Sequence, residues 1–186
     1  PGGGIYIASS ELYLDETERS VISNNTIKNN EAKGSGGFYN PNGNGGGITI
    51  SSSRSLIENN NISGNISELP GGGIYVSGGS ETVIKNNTIE NNNSSSIGGG
   101  ISVNNSSPVI EGNEIINNST DSNGGGIALD YRSEATIKQN TISNNFSKND
   151  GGGIVVVSGG GHPSIAIIDN NTIHNNEAGR WGGGIA

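Results

Sequence analysis

Gly71-Gly72-Gly73-Ile74-Tyr75-Val76-Ser77-Gly78-Gly79-Ser80-Glu81-Thr82-Val83-Ile84-Lys85-Asn86-Asn87-Thr88-Ile89-Glu90-Asn91-Asn92 is one unit of a pattern that starts again at Gly98. Gly-Gly-Gly-Ile begins at Gly2, Gly45, Gly71, Gly98, Gly124, Gly151 and Gly182, at steps of 43, 26, 27, 26, 27 and 31 residues. Inside each unit lies Ile-x-x-Asn-x-Ile-x-x-Asn, carried by Ile22/Asn25/Ile27/Asn30, Ile57/Asn60/Ile62/Asn65 and Ile84/Asn87/Ile89/Asn92. It continues as Ile110/Asn113/Ile115/Asn118, Ile137/Asn140/Ile142/Asn145 and Ile168/Asn171/Ile173/Asn176. Four positions hold in all six units. A fixed period of this length is the mark of a solenoid.

Each unit reads as three short strands: Gly-Ile-x-Val with alternate apolar residues, a segment such as Thr82-Val83-Ile84-Lys85, and a brief Thr88-Ile89-Glu90. Such strands bury no apolar face alone, but copies stacked about 4.8 Å apart do. The expected fold is therefore all-β, a right-handed parallel β-helix solenoid of about six coils. The repeats fill the chain, so residues 1–186 read as one β-helix segment of a longer protein. Both ends fall at the same phase of the repeat, and further coils or end-to-end stacking of copies are the expected way to cover them.

The second Asn of each pair never varies, whereas the first becomes Gly112 or Gln139. Asn25, Asn60, Asn87, Asn113, Asn140 and Asn171 are therefore expected to form a structural ladder of stacked amides, with a second at Asn30, Asn65, Asn92, Asn118, Asn145 and Asn176. Asn and Gly also tolerate the left-handed backbone of sharp turns. Ser23, Glu58, Lys85, Glu111, Lys138 and Asp169 line one outward column whose charges alternate over its central members.

The composition fits no ordinary globular core: 33 Gly, no Cys or Met, and 29% hydrophobic residues. A net charge of -8 argues against nucleic acid as a partner. No run of 18 apolar residues provides a membrane-spanning segment. Disulfides and thiolate metal sites are excluded by the lack of Cys.

Asn-Asn-Thr-Ile-Lys-Asn-Asn-Glu-Ala (24–32), Asn-Asn-Thr-Ile-Glu-Asn-Asn (86–92) and Asn-Asn-Thr-Ile-His-Asn-Asn-Glu-Ala (170–178) resemble the right-handed parallel β-helix repeat of the pectin-lyase-like superfamily. The Gly-Gly-Gly-Ile units are similar to the Gly-Gly-Ala-Ile repeats of polymorphic outer membrane proteins, whose companion repeat carries Phe where this chain has Ile27, Ile89 or Ile173. The resemblance implies the fold and a range of roles, from pectate lyases and epimerases to adhesins and stalks.

Relatives that cleave polysaccharides place their acids and bases outside the first-strand sheet. That column here reads Tyr6, Thr49, Tyr75, Ser102, Ala128 and Val155, with neither acid nor base. Asp130 with Arg132 and Glu134 reads as a surface ion pair, and His162 and His174 as solvated. The Gly runs open no phosphate loop, because no Lys-Ser/Thr follows. No cofactor or metal is expected. Long loops flank the first strand of coil one, and every aromatic lies on this sheet or its loops. Tyr6, Tyr13, Tyr39, Thr49 and Tyr75 are accordingly the candidate ligand residues of a shallow groove for neutral glycans.

Two functions compete. The first is a non-enzymatic structural or adhesive segment of an extracellular or cell-surface protein, with glycans or other surface proteins as partners. The alternative is a carbohydrate-active enzyme (lyase, hydrolase or epimerase) whose acids, Glu11, Asp15, Glu16 and Glu18, come from the long loop. An ice-binding face would need a regular Thr array, which this column is not.

Overall fold

The computed structural model describes residues 3–8, 19–34, 44–158 and 161–186. Its described strands form four parallel sheets of six strands each, every strand pairing with its own copy in the neighbouring coil. Coil three is representative, with strands Ile74–Ser77, Thr82–Lys85, Thr88–Glu90 and Asn93–Ser94. The parallel β-helix is thus as expected, but a coil has four strands and not three. The fourth is two residues long, too short for alternation to announce it. Its inward position holds the buried hydroxyl residues Ser67, Ser94, Thr120 and Ser147 in the four central coils, with the small Ala32 and Ala178 at the two ends.

The register stacks like on like. Ile48, Ile74, Ile101, Ile127 and Ile154 form one interior column, Ile57, Ile84, Ile110 and Ile137 another, and Ile62, Ile89, Ile115 and Ile142 a third. All are fully buried. These columns form one continuous core along the axis, so a chain poor in apolar residues still excludes water from a line of stacked isoleucines.

Both ladders run the length of the solenoid. In the first, each Nδ2 donates to the next Oδ1: Asn25 to Asn60 at 3.1 Å, then Asn60 to Asn87, Asn87 to Asn113 and Asn113 to Asn140 at 3.0 Å, and Asn140 to Asn171 at 2.9 Å. The same Oδ1 also accepts the backbone N–H of the preceding rung, as Asn113 does from Asn87 at 2.9 Å. A second Nδ2 bond reaches back to a core carbonyl, from Asn113 to Ile84 at 2.9 Å. The ladder from Asn30 to Asn176 repeats this geometry at 2.9–3.0 Å.

The two members of each Asn pair divide the work. The left-handed turn falls on the variable first residue, with φ of 59° at Asn24, 64° at Gly112 and 56° at Gln139. That residue needs only tolerance of positive φ, whereas the invariant second one needs an amide. This explains why one position drifts and the other does not.

The glycine triplet makes a third turn. Gly98 has φ +70°, and a Cβ at Gly99 would lie 2.5 Å from the Gly125 carbonyl oxygen and 2.7 Å from the Ser119 carbonyl carbon. Two backbones meet there with no room for a side chain.

Candidate functional site

The outer column of the first-strand sheet has the expected register: Tyr6, Thr49, Tyr75, Ser102, Ala128, Val155. Its surroundings are not as expected. Tyr6 is 48% exposed, but Thr49 is 2% and Tyr75 8%, with Ser102, Ala128 and Val155 also buried. Thr49 and Tyr75 are therefore corrected from groove residues to packed ones. The cause is the glycine triplet, whose first member turns the chain back against this column. A Cβ at Gly71 would stand 2.9 Å from the Tyr75 Cβ, and one at Gly151 2.7 Å from the Val155 Cβ. Thr49 Oγ1 accordingly donates to the Asn44 carbonyl at 2.7 Å. Tyr13, Tyr39 and the loop acids Glu11, Asp15, Glu16 and Glu18 lie outside the described residues.

Burial holds the Tyr75 hydroxyl above the ordinary tyrosine pKa, the negative charge of Asp130 adds to this, and a hydrogen bond with Ser77 opposes it. A raised pKa means the folded state holds the proton more tightly than the unfolded chain. This group's contribution is complete below the unfolded tyrosine pKa of about 10 and is lost as pH rises through the higher folded value. Tyr75→Phe should therefore lose less stability than the wild type between neutral pH and about pH 11. Paired urea titrations at the two pH values measure this, and identical losses would contradict the burial of the hydroxyl.

An assembled polar cluster sits one turn further along. Arg132 Nε donates to His162 Nδ1 at 2.9 Å, and the Tyr131 ring meets the His162 ring edge-on with centroids 4.9 Å apart. The guanidinium also lies 5.6 Å from the Tyr131 centroid. The expected grouping of Arg132 with Asp130 and Glu134 is corrected: Arg132 pairs with His162, while Asp130 Oδ1 accepts the Tyr131 N–H at 2.8 Å. His162, expected to be solvated, is half-buried in this cluster.

Tyr131 and Arg132 both have left-handed backbone, φ 46° and 57°. The equivalent turn of coil three uses Gly78 and Gly79 for the same conformation, φ 73° and 75°. Two bulky residues hold a conformation suited to glycine, which projects a ring and a guanidinium into solvent at some cost in backbone energy. Composition and spacing gave no sign of this. The one available signal was Tyr-Arg aligned with Gly-Gly between two copies of the same turn.

A serine column was also missed. Ser53 N–H is bonded to Ser80 Oγ at 3.2 Å, Ser80 N–H to Ser106 Oγ at 3.2 Å, and Ser133 N–H to Ser164 Oγ at 3.3 Å. Each of these Ser residues stands four positions before a core Ile (57, 84, 110, 137, 168), a spacing that holds in coils two to six, while coil one has Glu18 there. Among the described residues, no group of three or more His, Cys, Asp or Glu is arranged to hold a metal ion.

Neither the curated proteins nor the solved structures contain a match to the chain. A family model described as right handed beta helix region matches residues 3–186. With parallel sheets, stacked coils and axial amide ladders covering the same span, the chain belongs to the right-handed β-helix family.

Proposed function

We propose that this chain is a non-enzymatic, rigid segment of an extracellular or cell-surface protein that presents exposed edge residues to glycans or to other surface proteins. The observation that carries the reading is the closed central column on the outer face of the first-strand sheet. Beside it the other outward column, Ser51, Ser77, Asn104 and Asp130, is half-buried and holds a single carboxylate. From Thr49 to Val155 the column is filled by packed side chains under the turning glycine segments, so the position where a β-helix enzyme would open its cleft is occupied by protein. Contact then falls to edge groups such as Tyr6, 48% exposed, and Tyr131, 42% exposed.

Aromatic stacking contributes about 1 kcal/mol per ring, so each contact is weak and works by repetition along a surface. NMR titration with neutral and acidic oligosaccharides should give weak, saturable shifts centred on Tyr131. Tyr131→Ala should weaken binding about fivefold. Incubation with the corresponding polysaccharides, with and without Ca²⁺, should yield neither new reducing ends nor unsaturated products. Chain cleavage in that assay would replace this reading with the enzymatic one.

A further inference from the structure

The outer face of the second-strand sheet carries a stripe with no counterpart among the described residues. Val21, Leu56, Val83, Val109, Thr136 and Ile167 are in register on six successive coils. They alternate with the core isoleucines and point away from them. Five of the six are aliphatic, Val21 is 57% exposed and Ile167 62%. At about 4.8 Å per coil the stripe is about 24 Å long. The four residues between Val21 and Ile167 are half-buried, and a contiguous apolar stripe of this length marks an interaction surface.

We propose that this face binds a second copy of the chain, with the two solenoids side by side and their axes antiparallel. Charge selects this occupant. Beside the stripe run Glu58, Lys85, Glu111 and Lys138 on successive coils, already paired within the chain as Lys85–Glu58 at 3.2 Å and Lys138–Glu111 at 3.4 Å. The order minus, plus, minus, plus changes sign when reversed about its midpoint. A two-fold axis along the strand direction therefore sets Lys85 against Glu111 of the second copy and Glu58 against Lys138 of the second copy. On the other flank the same rotation sets Arg54 against Glu134 of the second copy. These charge pairs are all opposite, and no like charges meet, since Arg19, Glu81 and Asp169 face the uncharged Ile165, Ser107 and Ser23 of the second copy.

The apolar ends of the stripe meet in the same arrangement. A groove of about 270 Å³ lies over coils one to four, lined by Arg19, Arg54, Glu81, Val83, Ser107 and Val109. At the other end of the face, Ile165 and Ile167 protrude, 57% and 62% exposed. The antiparallel two-fold sets Ile167 against Val21 of the second copy, 57% exposed, and Ile165 against its Arg19 at the end of the groove, and the reverse holds at the other end, as an isologous interface requires. Three columns over six coils offer on the order of 500 Å² per copy, near the lower limit for a specific interface. The dimer should accordingly form in the range of tens to hundreds of micromolar.

Sedimentation velocity of the chain from about 1 to about 500 µM tests this, with circular dichroism melts confirming that each variant folds. The wild type should show a reversible monomer–dimer equilibrium. Val83→Lys, on the solvated side of its strand, should weaken it by about tenfold or more. Lys85→Glu should weaken it by a similar factor, and Lys85→Glu/Glu111→Lys should recover to within about threefold of wild type. A monomer at every concentration overturns the proposal, as does association untouched by Val83→Lys, which would place contact at another surface such as the solenoid ends. Failure of the charge swap to restore association overturns the antiparallel arrangement.

Discussion

Asn113→Ala is expected to lower the unfolding free energy by about 3 kcal/mol, a large effect for one surface-distant polar residue. The substitution removes a ladder rung in the middle of the stack, where Asn113 is 1% exposed. Its Oδ1 accepts from both the backbone N–H and the Nδ2 of Asn87, at 2.9 and 3.0 Å, while its own Nδ2 donates to Asn140 at 3.0 Å and to the Ile84 carbonyl at 2.9 Å. Alanine leaves the Asn87 N–H and the Asn140 Oδ1 short of partners in a space too tight for a bulk water network. The cost is dominated by these orphaned groups and not by the net worth of the lost bonds. The control is Asn86→Gly, which touches the left-handed member of the neighbouring pair, φ 54°, at an exposed site. The next coil uses Gly112 there, so the change should stay within about 1 kcal/mol. Urea unfolding followed by circular dichroism compares the two; equal effects would contradict the division of labour within the Asn pairs.

Gly99→Ala is expected to cost more, above about 3 kcal/mol, or to abolish folding. The methyl group would press on the Ser119 carbonyl and stand 2.5 Å from the Gly125 oxygen. Both obstacles are backbone of neighbouring strands and cannot swing aside as a side chain would, so relief requires the coils to separate and the sheet to lose its pairing. Gly79→Ala is the informative comparison. Its φ is +75°, but nothing lies within 4 Å of the added carbon. The cost there is conformational only, about 1 kcal/mol. If soluble expression and thermal stability of the two variants match, close backbone approach is not what fixes the triplet.

The fold was legible because its determinants repeat. Ile57, Ile84, Ile110 and Ile137 occupy one environment four times over, and the same holds for the ladder amides, so a single sequence carries its own internal comparison. What repeats weakly was missed for a physical reason. The fourth strand spans only two residues and turns buried Ser and Thr inward, so neither hydropathy nor alternation marks it. The burial of Thr49 and Tyr75 was missed because alternation reports which side of a sheet a residue faces and says nothing of what covers that side. That information lay instead in the first glycine of the described triplets from Gly45 to Gly151, whose positive φ turns the chain against the column. The cluster of Tyr131, Arg132 and His162 joins two turns 30 residues apart and occurs in one coil pair, beyond the reach of any periodic pattern. Even so, the alternation of Glu58, Lys85, Glu111 and Lys138 was readable in advance and became two ion pairs.

Continuity of the amide ladders through the interior is what holds the coils in register. The most direct measurement is exchange of the Asn side-chain amide protons with solvent, resolved by NMR on the labelled chain. The Nδ2 protons of Asn60, Asn87, Asn113 and Asn140, and of Asn65, Asn92, Asn118 and Asn145, should exchange orders of magnitude more slowly than those of the turn residues Asn59, Asn86 and Asn105, because release requires separation of coils. Ladder amides that exchange as fast as the turn amides would contradict the stacked interior and the register on which every other prediction rests.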